Sequence, residues 1–211
     1  MAGNCIFDDE AVSDASRREI VRRYYQAMCD LRTGRGEESA VAKIELLMNK
    51  AEITVDINPT VAASLRKAEE TGMPAVAIEL SDGQVITGKT SSLLGASSAA
   101  LLNALKVLAG LDDSLHLIAP EVIEPIQHLK ISHLGNHNPR LHTDETLIAL
   151  SISAVTDPNA ERAMEHLAEL SGCDAHSTVI LSQVDTDVFR KLGVNMSCEP
   201  RYQTKKLYHK R

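Results

Sequence analysis

The sequence predicts an α/β protein, a three-layer α/β/α sandwich around a mixed β-sheet, preceded by a helical region. Two observations predict this fold. Residues 75–88 alternate in hydropathy on either side of Asp82-Gly83, which is the pattern of an antiparallel β-hairpin. After the hairpin, segments with helical periodicity alternate with short apolar runs, which is the order expected when helices cover a sheet. Up to residue 72 the sequence carries helical patterns only.

Length, charge and composition limit the classes of function. A chain of 211 residues can build one good core, or one core with a helical appendage. A net charge of −7 and an aromatic content of 3% argue against a general nucleic-acid binder. We find no signal peptide and no apolar run long enough to cross a bilayer, so we expect no membrane partner. Four irregularly spaced cysteines favour reduced thiols and a cytoplasmic location.

Three amphipathic helices are expected in the first part of the chain, because their apolar residues recur at helical spacing. The predicted helices are 13–31, 37–50 and 59–71. We see no residue pattern with chemistry there. The predicted division of the chain is a helical region over 1–72, an α/β subdomain over 73–200 and a basic C-terminal tail over 201–211.

The hairpin contains a string that matches a phosphate-binding loop. Residues 83–90, GQVITGKT, satisfy the pattern G-x-x-x-x-G-K-[ST]. Between the two glycines, three of the four residues are β-branched, and such residues favour extended backbone over a loop that curls around phosphate. We therefore predict a strand over 75–80, a tight turn and a strand over 84–88. The alternative is a P-loop-like nucleotide hydrolase that uses Lys89 and Thr90.

The helix after the hairpin is the most apolar in the sequence. Residues 99–109 carry leucines on nearly all faces, so this helix should be buried on more than one side. A hairpin that leads into a buried helix resembles the opening of the cytidine deaminase fold. Zinc-dependent deamination needs a His or Cys and a Glu at the start of that helix, and a P-C-x-x-C motif before the next helix. Residues 96–99 and 120–123 read ASSA and PEVI instead, so we predict no deaminase zinc site and assign no metal.

The remaining segments continue the alternation of strands and helices. Prolines at 120 and 158 favour helix starts, and glycines at 172 and 193 favour helix ends. The predicted strands are 114–118, 175–182 and 194–198. The predicted helices are 120–133, 143–152, 157–170 and 185–193.

A polar loop over 135–142 is the main candidate binding segment. Asn136, Asn138, Arg140 and His142 offer amide, guanidinium and imidazole groups beside a helix N-terminus, which suits an anionic small molecule. Residues that leave the hairpin, and residues at the head of a later strand, are expected to face this loop. The ligand-binding candidates are Lys89, Thr90, Ser91, Asn136, Asn138, Arg140, His142, His176 and Ser177. The alternative is a loop that satisfies its own backbone or packs on a partner domain.

Four motifs carry a family resemblance. They are Gly88-Lys89-Thr90-Ser91, the loop 135–142, the segment 176–182, and the C-terminal stretch 198–209. Through them the chain resembles a bacterial family called domain of unknown function 1846, or uncharacterised protein family 0371, over essentially all 211 residues. Members of this family are considerably longer and have no established activity. The resemblance therefore implies a C-terminal portion whose partner is the N-terminal domain of the longer protein.

Three functional hypotheses follow, and we leave open whether the protein is an enzyme and whether it uses a cofactor. The first is a deaminase-like subdomain that binds a small anionic metabolite or nucleotide together with the N-terminal domain. The second is a docking or oligomerisation module, which would form a homo-oligomer and have no chemistry of its own. The third is the nucleotide hydrolase described above.

Overall fold

A computed structural model of the protein describes residues 9–203, and these form an α/β fold with a four-stranded mixed sheet and eight α-helices. The strands are β1 Ala75–Glu79, β2 Val85–Lys89, β3 Asp174–Ser177 and β4 Asn195–Cys198. The helices are α1 Asp9–Arg32, α2 Glu38–Lys50, α3 Pro59–Thr71, α4 Ala96–Leu108, α5 Pro120–His128, α6 Thr143–Ser153, α7 Pro158–Glu165 and α8 Gln183–Lys191. Most of the predicted basic tail lies outside the described residues.

The predicted hairpin is confirmed. Strands β1 and β2 pair antiparallel, with Ala75 opposite Lys89. The turn between them has Gly83 at φ +84°, and the Asp82 carboxylate accepts from the Gln84 amide at 2.9 Å. Glycine adopts this left-handed conformation without the penalty that a Cβ would bring. Since residues 85–89 are extended and paired, they do not form the curled loop that a nucleotide hydrolase needs, and the phosphate-loop alternative loses its structural basis.

The sheet has the order β2-β1-β3-β4, in which β1 is antiparallel to both neighbours and β3 is parallel to β4. Strand β1 lies inside the sheet, and its first four residues are fully buried. Successive side chains of a strand point to opposite faces. Val76 and Ile78 point into the large core that contains α4, whereas Ala77 lies on the other face beside His176 of β3.

Helices cover both faces of the sheet. On one face α4 packs against β1 and β2, and the core there also includes residues of α6, α7 and α8. On the other face α3 packs against β1, β2 and β3, and α1 packs against β4. The three N-terminal helices are confirmed, although α1 is longer than predicted. Among residues 9–203, every helix is too short or too polar to cross a membrane.

The close approach of α4 to the sheet explains the second glycine of the phosphate-loop string. A Cβ added to Gly88 would lie 2.1 Å from the Ala100 backbone nitrogen, which no real contact allows. Gly88 is therefore required by packing between strand and helix. The Asn103 side chain of α4 also donates to the Thr87 carbonyl at 2.9 Å, and this satisfies an acceptor on the edge strand β2.

The prediction of a strand over 114–118 is wrong. The segment contains turns, and its consecutive residues Leu117 and Ile118 are both buried against the core while Leu115 is more than a third exposed. Two neighbouring buried residues do not fit a strand with one buried face. The predicted strand over 175–182 is also too long, since β3 ends at Ser177. Beyond it, the Ile180 amide donates to the Arg201 carbonyl at 2.8 Å, away from the sheet.

Candidate functional site

A cavity of about 270 Å³ lies where three helices begin. Its walls include residues 95–97 at the start of α4, His142 immediately before α6, and Ser182 immediately before α8. The first amides of a helix have no carbonyl partner within the helix, and the helix dipole places partial positive charge there. The other lining residues are Pro74, Thr90, Asn138, Arg140, Leu141, residues 179–181, Asp185, Tyr202 and Gln203.

The polar loop over 135–142 is held against the start of α4 by Leu141. The Leu141 side chain is fully buried, and its amide donates to the Leu93 carbonyl at 3.0 Å. The Leu141 carbonyl accepts from the Gly95 amide at 3.2 Å and from the Ser98 hydroxyl at 3.0 Å. An apolar anchor and three hydrogen bonds thus fix the end of the loop beside the cavity.

Arg140 and Asn138 are held on the cavity wall by contacts with other parts of the chain. The Arg140 Nε donates to the Ser91 carbonyl at 2.5 Å, and the Arg140 amide donates to Asn138 Oδ1 at 3.2 Å. The Arg140 carbonyl accepts from the Lys130 ammonium at 2.6 Å. These contacts place a permanent positive charge on the wall, since a guanidinium is always protonated in proteins.

Asp185 organises the opposite wall. One carboxylate oxygen, Oδ2, accepts from His142 Nδ1 at 3.0 Å and from the Ser182 hydroxyl at 2.7 Å. The other, Oδ1, accepts from the Thr143 amide at 2.9 Å and from the Thr143 hydroxyl at 3.0 Å. Because a carboxylate only accepts, the His142 Nδ1 carries the proton in this pair. Asp185 therefore joins the start of α8 to the start of α6.

The same contacts shift the pKa values of both groups. The hydrogen bond with Asp185 raises the pKa of His142 above its ordinary value, although burial opposes this rise. Burial alone would raise the pKa of Asp185, but the hydrogen bonds from His142 and Thr143 outweigh it, and the pKa of Asp185 is lowered. His142 is thus favoured in its positively charged form beside an ionised Asp185.

Four of the nine predicted ligand-binding residues line this cavity, namely Thr90, Asn138, Arg140 and His142. Two others lie next to it: Ser91 holds Arg140 through its carbonyl, and Asn136 lines an adjacent cavity. Lys89 is exposed at the end of β2 and is absent from the walls of this cavity.

The structure does not bring the last two candidates, His176 and Ser177, into the cavity. His176 is fully buried, with Nδ1 2.8 Å from the Ser197 hydroxyl and Nε2 3.4 Å from Glu199 Oε1. Its ring packs against Tyr25 of α1 with a centroid distance of 4.6 Å. The Ser177 hydroxyl donates to the Val179 carbonyl at 2.7 Å. His176 therefore ties β3 to β4 and α1, whereas the Ser177 hydroxyl serves the local bend after β3.

The sequence predicted Asp185 only as the cap of the helix 185–193, which is wrong because α8 begins at Gln183 and Asp185 lies in its first turn; neither Asp185 nor Ser182 was predicted as a site residue. Ser182 is the N-cap of α8, and its hydroxyl accepts from the Asp185 amide at 3.2 Å. A serine followed three residues later by an acidic residue is the pattern of an N-cap, so the signal was visible as local structure. Nothing in that pattern points to His142. Among residues 9–203, no three His, Cys, Asp or Glu side chains come together as a metal site.

Comparison with known proteins confirms the family resemblance. The sequence profile of "Domain of unknown function DUF1846, C-terminal" matches residues 56–208, and that of "Domain of unknown function DUF1846, N-terminal" matches residues 1–52. The chain is 54% identical over 211 residues to UPF0371 protein CE2832 of Corynebacterium efficiens, covering all of this chain and 43% of that protein. It is 52% identical over 210 residues to UPF0371 protein SpyM50764 of Streptococcus pyogenes serotype M5, covering 42% of that protein. The chain thus spans less than half the length of these relatives.

Proposed function

The chain belongs to the DUF1846 family, and we propose that it binds a small anionic metabolite or nucleotide in the cavity at the start of α4, α6 and α8. One observation carries the proposal: three helix N-termini meet at one cavity that also has Arg140 and His142 on its walls. Helix N-termini attract anions because their amides point outward and their dipoles add positive potential.

The start of α4 is the best placed of the three helices. Its N-cap is Gly95, which has no side chain to cap the first amides, and residues 95–97 lie on the cavity wall. In α8 the cap is the Ser182 side chain, and in α6 the Glu145 side chain accepts from the amide of the N-cap residue His142 at 2.8 Å. An anion would therefore rest against the beginning of α4.

The charges on the walls also favour an anion. Arg140 is positive at all physiological pH values, and the raised pKa of His142 extends the pH range in which the imidazole is charged. Asp185 is the acidic residue among those that line this cavity. Its two oxygens already accept hydrogen bonds from His142, Thr143 and Ser182, so its charge is largely balanced within the protein.

The proposal includes two finer points. The topology is taken as cytidine-deaminase-like, because an antiparallel hairpin leads into the buried helix α4, but the start of α4 offers no zinc ligand and we propose no zinc-dependent deamination. The relatives are more than twice as long as this chain, so we propose that the rest of such a protein covers the cavity. A cytoplasmic location is part of the same proposal.

The test is a calorimetric titration of the protein with inorganic phosphate. We expect wild-type protein to bind phosphate and the Arg140→Gln variant to bind it about tenfold more weakly, which corresponds to the loss of one charge-assisted contact. The Arg140→Lys variant should lose less affinity for phosphate, because it keeps the positive charge. Arg190→Gln is the matched control, since Arg190 is exposed on α8 and pairs with Asp187 outside the cavity.

Each result decides for or against the site. Absence of phosphate binding by the wild type, or equal binding by the wild type and the Arg140→Gln variant, would contradict the proposal. Circular dichroism of each variant checks that the fold is kept, because Arg140 also contacts the Ser91 carbonyl.

A further inference from the structure

A second cavity, of about 450 Å³, adjoins the first. Asn138 and His142 lie on the walls of both cavities, so the two cavities meet at these side chains. The second cavity lies over the first turn of α6, and its walls also include Lys130, Asp144 and Glu145. It therefore offers a place for a part of the ligand that extends beyond the anionic group.

The charge of the second cavity differs from that of the first. The Lys130 side chain is 3% exposed, and its ammonium donates to Glu145 Oε2 at 2.5 Å, so these two charges balance each other. Asp144 is half-buried, and its Oδ1 accepts from the Glu145 amide at 2.8 Å. Within residues 9–203, no lysine or arginine forms an ion pair with Asp144. His142, which also lines this cavity, is paired with Asp185, so the second cavity retains the negative charge of Asp144 close to Arg140 of the first.

We propose that the ligand is zwitterionic, with its anionic group at the start of α4 beside Arg140 and an ammonium group beside Asp144. This inference rests on the function proposed above and names the class of ligand. His142 lies between the two positions, because its imidazole borders both cavities.

Two other kinds of extended ligand fit the second cavity less well. A second anionic group would meet the Asp144 carboxylate, which no lysine or arginine of residues 9–203 neutralises, and would be repelled. A purely apolar group would find Val184 as the one apolar side chain among eight lining residues, and would strip water from charged groups without replacing their hydrogen bonds. An ammonium group gains an ionic hydrogen bond to the Asp144 carboxylate and can leave the Lys130–Glu145 pair intact.

The test compares ω-aminoalkyl phosphates with n-alkyl phosphates, both with chains of two to five carbons. Each pair differs only in the terminal ammonium group, and the series covers a range of distances between the two charges. We expect an aminoalkyl phosphate of matching length to bind the wild type about tenfold more tightly than its alkyl partner, the gain typical of one partly desolvated charge pair. The Asp144→Asn variant should remove this gain without weakening alkyl phosphate binding, because it takes away a negative charge and an asparagine still accepts from the Glu145 amide.

The control is Asp187→Asn, which removes an exposed carboxylate of α8 that pairs with Arg190. This variant should keep the gain from the ammonium group. If alkyl phosphates bind through Arg140 but no aminoalkyl phosphate binds more tightly at any length, the zwitterion inference is overturned while the anion site stands. A gain that survives Asp144→Asn also overturns it. If neither series binds, the proposed function itself fails.

Discussion

The Asp185 carboxylate receives hydrogen bonds from three residues in two parts of the chain, namely His142 and Thr143 at the start of α6 and Ser182 before α8. It is buried, so water cannot replace these donors. A buried carboxylate is costly unless it is hydrogen-bonded and paired, and here every contact favours the ionised form. Asp185 therefore orients the His142 ring. Its carboxylate binds the Nδ1 proton, and His142 lines both cavities.

The stability that the His142–Asp185 pair contributes falls when the pH is raised and also when it is lowered. The pKa of His142 is raised by folding, so its contribution is complete below the ordinary histidine value of 6.5 and is lost as the pH rises through the higher folded pKa. The pKa of Asp185 is lowered by folding, so its contribution is present above the ordinary value of 3.8 and is lost as the pH falls through the lower folded pKa. The pair stabilises the fold most between these limits.

We predict that Asp185→Asn lowers the pKa of His142, because the variant removes the negative charge and the strongest acceptor of the Nδ1 proton. The shift of the His142 ring proton signal with pH, followed by NMR, measures this. The free energy of unfolding at pH 6 should fall by about 2 kcal/mol, since a charged hydrogen bond in a buried site is lost. Asp187→Asn should change neither quantity, and an unchanged His142 pKa in Asp185→Asn would refute the assigned role.

Among the elements, the contact between β2 and α4 depends on one glycine. Gly88 is buried, and its α-carbon faces the backbone of Ala99 and Ala100 so closely that no side chain fits. Backbone atoms cannot move aside as the end of a flexible side chain can. This contact sets the position of α4, and with it the position of residues 95–97 at the cavity.

We predict that Gly88→Ala destabilises the protein by at least about 3 kcal/mol, because the new methyl group would force strand and helix apart. Gly83→Ala is the matched comparison. Gly83 has φ +84° and no atom within 4 Å of an added Cβ, so its substitution should cost only about 1 kcal/mol of backbone strain. Urea unfolding measures the free energy of unfolding of both variants. An equal loss of stability in the two would show that the Gly88 contact is not tight.

The elements were predictable where local chemistry decides them. The Asp82-Gly83 turn and the β-branched residues after it predicted the hairpin, and Pro158 predicted the start of α7. The segment 114–118 was mistaken for a strand because its apolar residues fit a buried strand as well as an irregular segment that packs on the core. A strand also needs a partner with free backbone groups, and sequence pattern does not supply that information.

At the scale of the whole molecule, α1 is fixed across the sheet by contacts of several kinds. The Arg18 guanidinium forms ion pairs with Glu79 of β1 and Asp174 of β3. Tyr25 is 5% exposed and packs against the ring of His176, and burial and the nearby Glu199 carboxylate raise the pKa of its hydroxyl. The helical layer and the sheet therefore share buried surface.

We predict that Tyr25→Ala lowers the free energy of unfolding by about 3 kcal/mol or more, because it leaves a cavity between α1 and the sheet and removes a partner of Glu199. Tyr24→Ala is the control. Tyr24 is half-buried at the edge of the small core that also contains Tyr25, so its replacement should lower the free energy of unfolding clearly less. Thermal unfolding of both variants provides the measurement, and a larger loss for Tyr24→Ala would contradict the assigned anchor.

The domain boundaries and the homo-oligomer stay predictions. Ile148 and Ile152 on one face of α6, and Val155 in the turn after it, are each more than half exposed. Such a face is compatible with a contact to a second copy or to the rest of a longer family protein.

Local sequence was enough to predict the hairpin, the buried helix after it, the polar loop with Asn138, Arg140 and His142, and the family. These features follow from turn chemistry, hydrophobic periodicity and residue type, which act over a few neighbouring residues. Only the tertiary structure decided that Asp185, 43 residues after His142, holds that histidine, and that His176 faces α1 instead of the cavity. Contacts between residues so far apart depend on how helices and strands pack, and no local pattern encodes that packing.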